Sequence, residues 1–243
     1  MKRTERHHLK QNIVEIAAVE TMHFFATKRR EATALVAVVA VVGLGAGAYW
    51  FWHTREQDKA HALLANAMVV QDARVGPPAA PGAAAGLTFP TERERAQAAV
   101  AKFRVAADAY PTTDAGLFAR YQEGSLQLTL GSSADAVKAY QAVVDRAGDG
   151  FYGQMARLGL AESYARGGQF EQAITAYKEL AQRKDGQLPI DGILMQLGRT
   201  YRDAGRRSDA QQTFTRLVDE FPDSPFNADA KRELESLKKP AAA

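Results

Sequence analysis

The 243-residue sequence predicts an all-α protein: a single N-terminal transmembrane helix, then a helical-repeat solenoid of three to four helix pairs with a 37-residue period, closed by a C-terminal capping helix. Three observations carry that expectation. Residues 32–52 hold no charged side chain. A small residue, an aromatic and an aliphatic recur together every 37 residues. Glycine-containing turns fall between the paired helical segments, where a left-handed C-cap is needed.

The first 31 residues form a basic tail. They contain seven Lys/Arg and four Glu, a net charge of +3, whereas residues 32–243 balance at 24 basic and 24 acidic groups. The whole excess charge therefore sits in the tail, and the larger part has no electrostatic footprint for nucleic acid. Ile13, Ile16, Ala17 and Phe24 fall near helical spacing, which predicts a short amphipathic helix on a membrane surface.

The run Ala32–Trp52 is 21 residues. As a helix it is about 31 Å long, the thickness of a hydrocarbon core. Lys28, Arg29 and Arg30 precede it, and Tyr49, Trp50, Phe51 and Trp52 close it, where amphipathic rings favour the interface. The positive-inside rule places the N-terminus in the cytoplasm and the remainder across the membrane. Gly43 and Gly47 form a G-x-x-x-G pair suited to close helix approach. The competing reading is a cleaved signal peptide, since Ala46-Gly47-Ala48 fits a processing site; the long preceding tail and the aromatic cluster favour an anchor.

Residues 53–74 read as a helical extension of the anchor, and 75–90, with four prolines, as a loop. The repeat region follows over 91–223. Ala99, Ala136, Ala173 and Ala210 lie 37 apart; Phe103, Tyr140, Tyr177 and Phe214 follow four residues on; Ala106, Val143, Leu180 and Leu217 three further. Spacing of i, i+4 and i+7 makes one face of a helix. The turns Gly131-Ser132-Ser133, Gly167-Gly168-Gln169 and Ala204-Gly205-Arg206 each precede such a helix. Ser224 and Pro225 read as the N-cap and first turn of a capping helix over 224–239, with Phe226, Ala230, Leu234 and Leu237 on one face. Residues 240–243 are a tail.

Those positions resemble the tetratricopeptide repeat (TPR) family. The last copy supplies Leu194, Leu197, Gly198, Tyr201, Ala210, Phe214, Leu217 and Pro222; the middle copy Leu160, Ala161, Tyr164, Gly168, Ala173, Tyr177 and Leu180. The first full copy, about 117–150, has Glu123 and Gln127 where apolar residues are expected, and a half-copy at 91–111 leaves residues 53–73 to act as its missing first helix. The family period is shorter than 37, so Asp149-Gly150 and Asp185-Gly186 are expected to mark lengthened turns.

The resemblance implies a groove lined by the first helix of each pair: Phe118, Tyr121, Ser125 and Thr129; Met155, Leu158, Glu162 and Arg166; Met195, Arg199, Arg202 and Asp203. This lining is apolar toward the first copy and charged toward the last, and it lacks the basic-and-asparagine pattern of chaperone-tail carboxylate clamps. It implies protein partners. The layout, with Phe24-Phe25 before the span and Tyr49-Trp50 closing it, resembles the ancillary TPR subunit of the bacterial Sec translocon. That resemblance implies an inner-membrane adaptor with its repeats in the periplasm, aiding secreted chains. An accessory subunit of a cell-division or outer-membrane assembly complex is the alternative. The sequence has no Cys, and all five His precede residue 62. The repeat region therefore lacks the commonest nucleophile, base and metal ligand. No catalytic residue, cofactor, metal or small-molecule substrate is expected.

Overall fold

The computed structural model describes residues 29–77, 86–183 and 188–238. The expected amphipathic segment of the tail, most of the proline-rich loop, Asp185-Gly186 and residues 240–243 lie outside these. By compactness the chain divides into Met1–Glu56 and Gln57–Ala243.

Helix α1, Arg29–Gln71, begins in the first unit. From Thr33 on it contains a window long and apolar enough to cross a membrane, none of which is buried. Leu35, Val36, Val38, Val39, Val41, Val42 and Leu44 are exposed around the helix rather than along one stripe. An all-round apolar helix without protein cover is not an amphipathic surface helix.

The second unit starts with the end of α1. There Ala67 and Val70 pack with Ala99, Phe103, Ala106 and Ala107 of α2, Glu92–Ala109, so residues 57–71 do serve as the missing first helix of the half-copy. The helix stops at Gln71, short of the expected 74, because Arg74–Val75 (β1) pairs in parallel with Thr88–Phe89 (β2). Phe89 is anchored in the same apolar cluster, which holds both ends of the proline-rich loop. Thr91 caps α2, accepting from the Glu94 N–H at 3.2 Å.

Six helices continue the pairing: α3, Asp114–Thr129; α4, Ser133–Ala147; α5, Phe151–Arg166; α6, Phe170–Gln182; α7, Ile190–Asp203; and α8, Arg207–Glu220. Each packs on its sequence neighbours, and α3 with α5 and α5 with α7 also touch, forming one row of first helices. All twelve residues of the 37-residue pattern are buried, none more than 4% exposed. The three expected turns share one geometry. Gly131, Gly168 and Gly205 have φ of 81°, 74° and 76°, and the following N–H reaches back to the carbonyls of Gln127, Tyr164 and Tyr201. That is the Schellman arrangement, which satisfies orphan helix-end carbonyls.

Three expectations need correction. The Asp149-Gly150 turn is not lengthened: only 148–150 separate α4 from α5. The extra residues extend the helices instead, with α3 and α5 each reaching 16. The tight connection is possible because Gly153 lies against the Gly148 carbonyl, where a Cβ would sit 2.0 Å away. The capping helix α9, Asn227–Lys238, starts later than expected. Ser224 Oγ instead donates to Asp191 Oδ2 at 2.6 Å and accepts from the Phe226 N–H, tying the turn to α7. Its apolar face does close the end: Ala230 is fully buried, with Phe226, Leu234 and Leu237 against the same cluster.

Finally, Glu123 is no defect in the pattern. It is 4% exposed, and its carboxylate accepts from Arg104 Nε at 2.8 Å and Arg120 Nη1 at 2.6 Å. Buried charge is tolerated where it is paired and hydrogen-bonded. Arg120 also pairs with Asp108. Burial alone would lower the Arg120 pKa, but Asp108 and Glu123 together raise it above its usual value.

Candidate protein-binding groove

The row α3, α5 and α7 carries the residues expected to line a groove. On α3, Phe118 and Tyr121 are half-buried and one turn apart. The Phe118 ring lies 6.3 Å from that of Tyr152 on α5, tilted by 53°. Tyr152 in turn meets the edge of Phe151 at 5.6 Å, and Phe151 is 58% exposed. Deeper in the row, Tyr121 stands edge-on to Tyr140 of α4 at 5.4 Å. Thr129 is spent locally, donating to the Ser125 carbonyl at 3.1 Å.

Glu162 and Arg166 on α5 pair at 2.7 Å. The Glu162 charge is felt by three phenols. Burial pushes the Tyr121, Tyr140 and Tyr177 pKa values up, and the nearby carboxylate adds to each. All three therefore remain protonated donors at neutral pH. The centre of the row thus sets one half-exposed carboxylate over the buried phenols of α4 and α6, beside the half-buried Tyr121, Met155 and Leu158.

The charged end is arranged differently. Arg202 Nη1 donates to both carboxylate oxygens of Glu233 at 2.7 Å, and its Nη2 lies 2.8 Å from Asp203. Arg199 lies 3.5 Å from Glu233 and 3.7 Å from Asp229. The acids come from α9, so the closing helix already engages the arginines expected to face a ligand. Met195 is 0% exposed and packs in the core with Ala230, so it does not line a groove.

Six contributors escaped sequence reasoning. Gln122 reaches Gln71 at 3.4 Å, joining α3 to the end of α1. Phe151 and Tyr152 form the aromatic run. Asp229 and Glu233 supply the answering charge. Asp229 stands 37 residues after Gly192, so extending the period into α9 would have placed its acids in the row.

In the other unit, Gly43 and Gly47 have open space where a Cβ would be. Trp50 and Trp52 are 69% and 61% exposed, and Tyr49 stacks on His53 at 5.9 Å. Among the described residues no group of three His, Asp or Glu is placed to hold a metal ion.

Residues 121–189 and 193–224 each match the tetratricopeptide repeat family. The chain carries tetratricopeptide repeats. Among solved structures, it is similar to the nearly identical TPR-like repeats assigned to a putative kinesin light chain of Podosopora anserina. The TM-score is 0.55 at 14% identity, covering 74% of this chain and 85% of that one. A point variant of that protein gives a TM-score of 0.56 at 14% identity, over 74% of this chain and 84% of its own. These likenesses establish the TPR-like fold. No curated protein matches the chain. TPR repeats present a fixed surface to other proteins, and a protein–protein interaction role follows from them.

Proposed function

We propose that this chain is a membrane-anchored TPR adaptor. Its apolar segment at 32–52 spans the bacterial inner membrane with the basic tail in the cytoplasm, and its repeats bind proteins on the periplasmic side at the Sec translocon. The observation that carries the anchoring is the 33–71 stretch of α1, whose apolar window has no protein cover on any side. In water such a surface invites aggregation; in a bilayer it is satisfied. The basic flank and the aromatic belt of Tyr49, Trp50 and Trp52 support the orientation. The apolar and phenolic members of the α3–α5 row support protein binding there.

Membrane fractionation and crosslinking test the proposal together. The full chain should stay with membranes through alkaline extraction. Photocrosslinkers placed within 32–52 should capture translocon subunits. Release into the soluble fraction, or a mature N-terminus at Tyr49, overturns the anchor. Reproducible capture of subunits from a different envelope complex overturns the translocon assignment and leaves the adaptor.

A further inference from the structure

The arginines toward the α7 end of the row of first helices are matched within the chain itself. Arg166 has Glu162, and Arg199 and Arg202 have Glu233. A charged ligand entering there competes with partners held at helical spacing or by a packed helix, so it gains little net free energy. The other end of the row is different. Phe151 is 58% exposed at the start of α5, and its ring continues through Tyr152 to Phe118 on α3 at ring spacings of 5.6 Å and 6.3 Å. Phe118 and Tyr152 meet across two helices, and aromatic rings, with few rotatable bonds, lose little conformational freedom on binding, the property that makes them effective anchors. Further along α3, the half-buried Tyr121 and Ser125 offer hydroxyls to a backbone that carries no charge.

Resting on the adaptor reading above, we propose that the Phe118–Tyr152–Phe151 ledge is where the partner docks. The occupant is an uncharged stretch of protein chain bearing aromatic or branched aliphatic side chains, not an acidic or basic tail. The charge balance along the row selects this occupant. The α7–α9 end acts as a closed, rigid wall.

The test uses the full chain in lipid nanodiscs and three fluorescent peptides of equal length: one uncharged with Phe and Leu anchors, one Glu-rich and one Lys-rich. Anisotropy should show binding of the uncharged peptide, with an affinity that changes less than about twofold between low and high salt. Phe151→Ala should weaken it by roughly tenfold, and Phe151→Tyr should restore most of the loss. Arg216→Ala, on the far surface of α8, should leave it unchanged. Because Phe151 is exposed, circular dichroism should show the variant fully helical. Tighter binding of either charged peptide with a steep salt slope overturns the proposal, and so does an unaffected Phe151→Ala. If photocrosslinkers at Arg199 capture proteins while no peptide binds the ledge, the ledge falls and the adaptor stands. If no position on the repeats captures a protein, both fall.

Discussion

In the α7–α8 pair, Leu197 and Gly198 stand beside Phe214; in the α3–α4 pair, 74 residues earlier, Glu123 and Gly124 stand beside Tyr140. The small-residue contact is common to both. A Cβ on Gly198 would lie 2.4 Å from the Phe214 ring, and one on Gly124 would lie 3.0 Å from Tyr140. The neighbouring position differs completely. Leu197 is buried in apolar surroundings at 5% exposure, whereas Glu123, at 4%, is held by two arginines. The ring against glycine therefore sets the helix–helix distance, and the next position is free to vary if its polarity is answered. Glu123 is answered from α2 by Arg104, so at this position the early pair is tied backward by a directional bond where the late pair has an apolar contact.

The largest expected effect tests the shared element. Phe214 is 0% exposed. Phe214→Ala should destabilise the repeats by about 3–5 kcal/mol, the usual range for emptying a buried aromatic site. Urea unfolding of the full chain followed by circular dichroism measures it. A loss under about 1 kcal/mol would mean the ring does not set the packing.

The next effect grades the two pairs against each other. Gly198→Ala forces the Phe214 ring to move and should cost about 2–3 kcal/mol, within the range for overpacked cores. Gly124→Ala meets its ring at the longer distance and should cost clearly less. Equal losses would break the link between approach distance and stability.

The third isolates what differs. Glu123→Ala strands Arg104 and Arg120, although Asp108 still answers the latter, and should cost about 1–2 kcal/mol. A cycle combining it with Arg104→Ala should show coupling of about 1 kcal/mol. Strict additivity would show that the buried acid is not answered from α2.

The legibility of this molecule follows the same division. The 37-residue register is readable because it reflects a local helical period plus a fixed turn, and the left-handed glycines mark that turn in sequence. What depends on lateral contact is not. Met195 carries the right residue type at a lining position, but Phe226, just before α9, and Ala230 of α9 join it in one apolar cluster. Arg202 and Glu233 are 31 residues apart, and only the stacking of α9 on the row brings them to 2.7 Å. The connection after α4 is misread from sequence for a related reason: a period counts residues without saying whether a helix or a turn absorbs them. Glu123 looks like a departure from the family because its partner, Arg104, lies in the preceding half-copy.

That short connection supplies the smallest effect. Asp149, exposed between α4 and α5, pairs with Arg183 at 2.7 Å and with Arg157 at 3.1 Å. The hydrogen bond and charge of Arg183, then Arg157, hold its carboxyl below the usual aspartate value. A carboxylate with a lowered folded pKa stabilises the fold in its ionised form. Its contribution is complete above the ordinary aspartate pKa of about 3.9 and is lost as the pH falls from there through the lower folded value. Solvent screens the pair, so the contribution is slight. Asp149→Asn should therefore melt a little below the wild type at pH 7, and the two melting curves should converge as the pH is taken below about 4. A constant gap down to about pH 3 would show that the turn is held by its tight backbone alone, with the two arginines as bystanders.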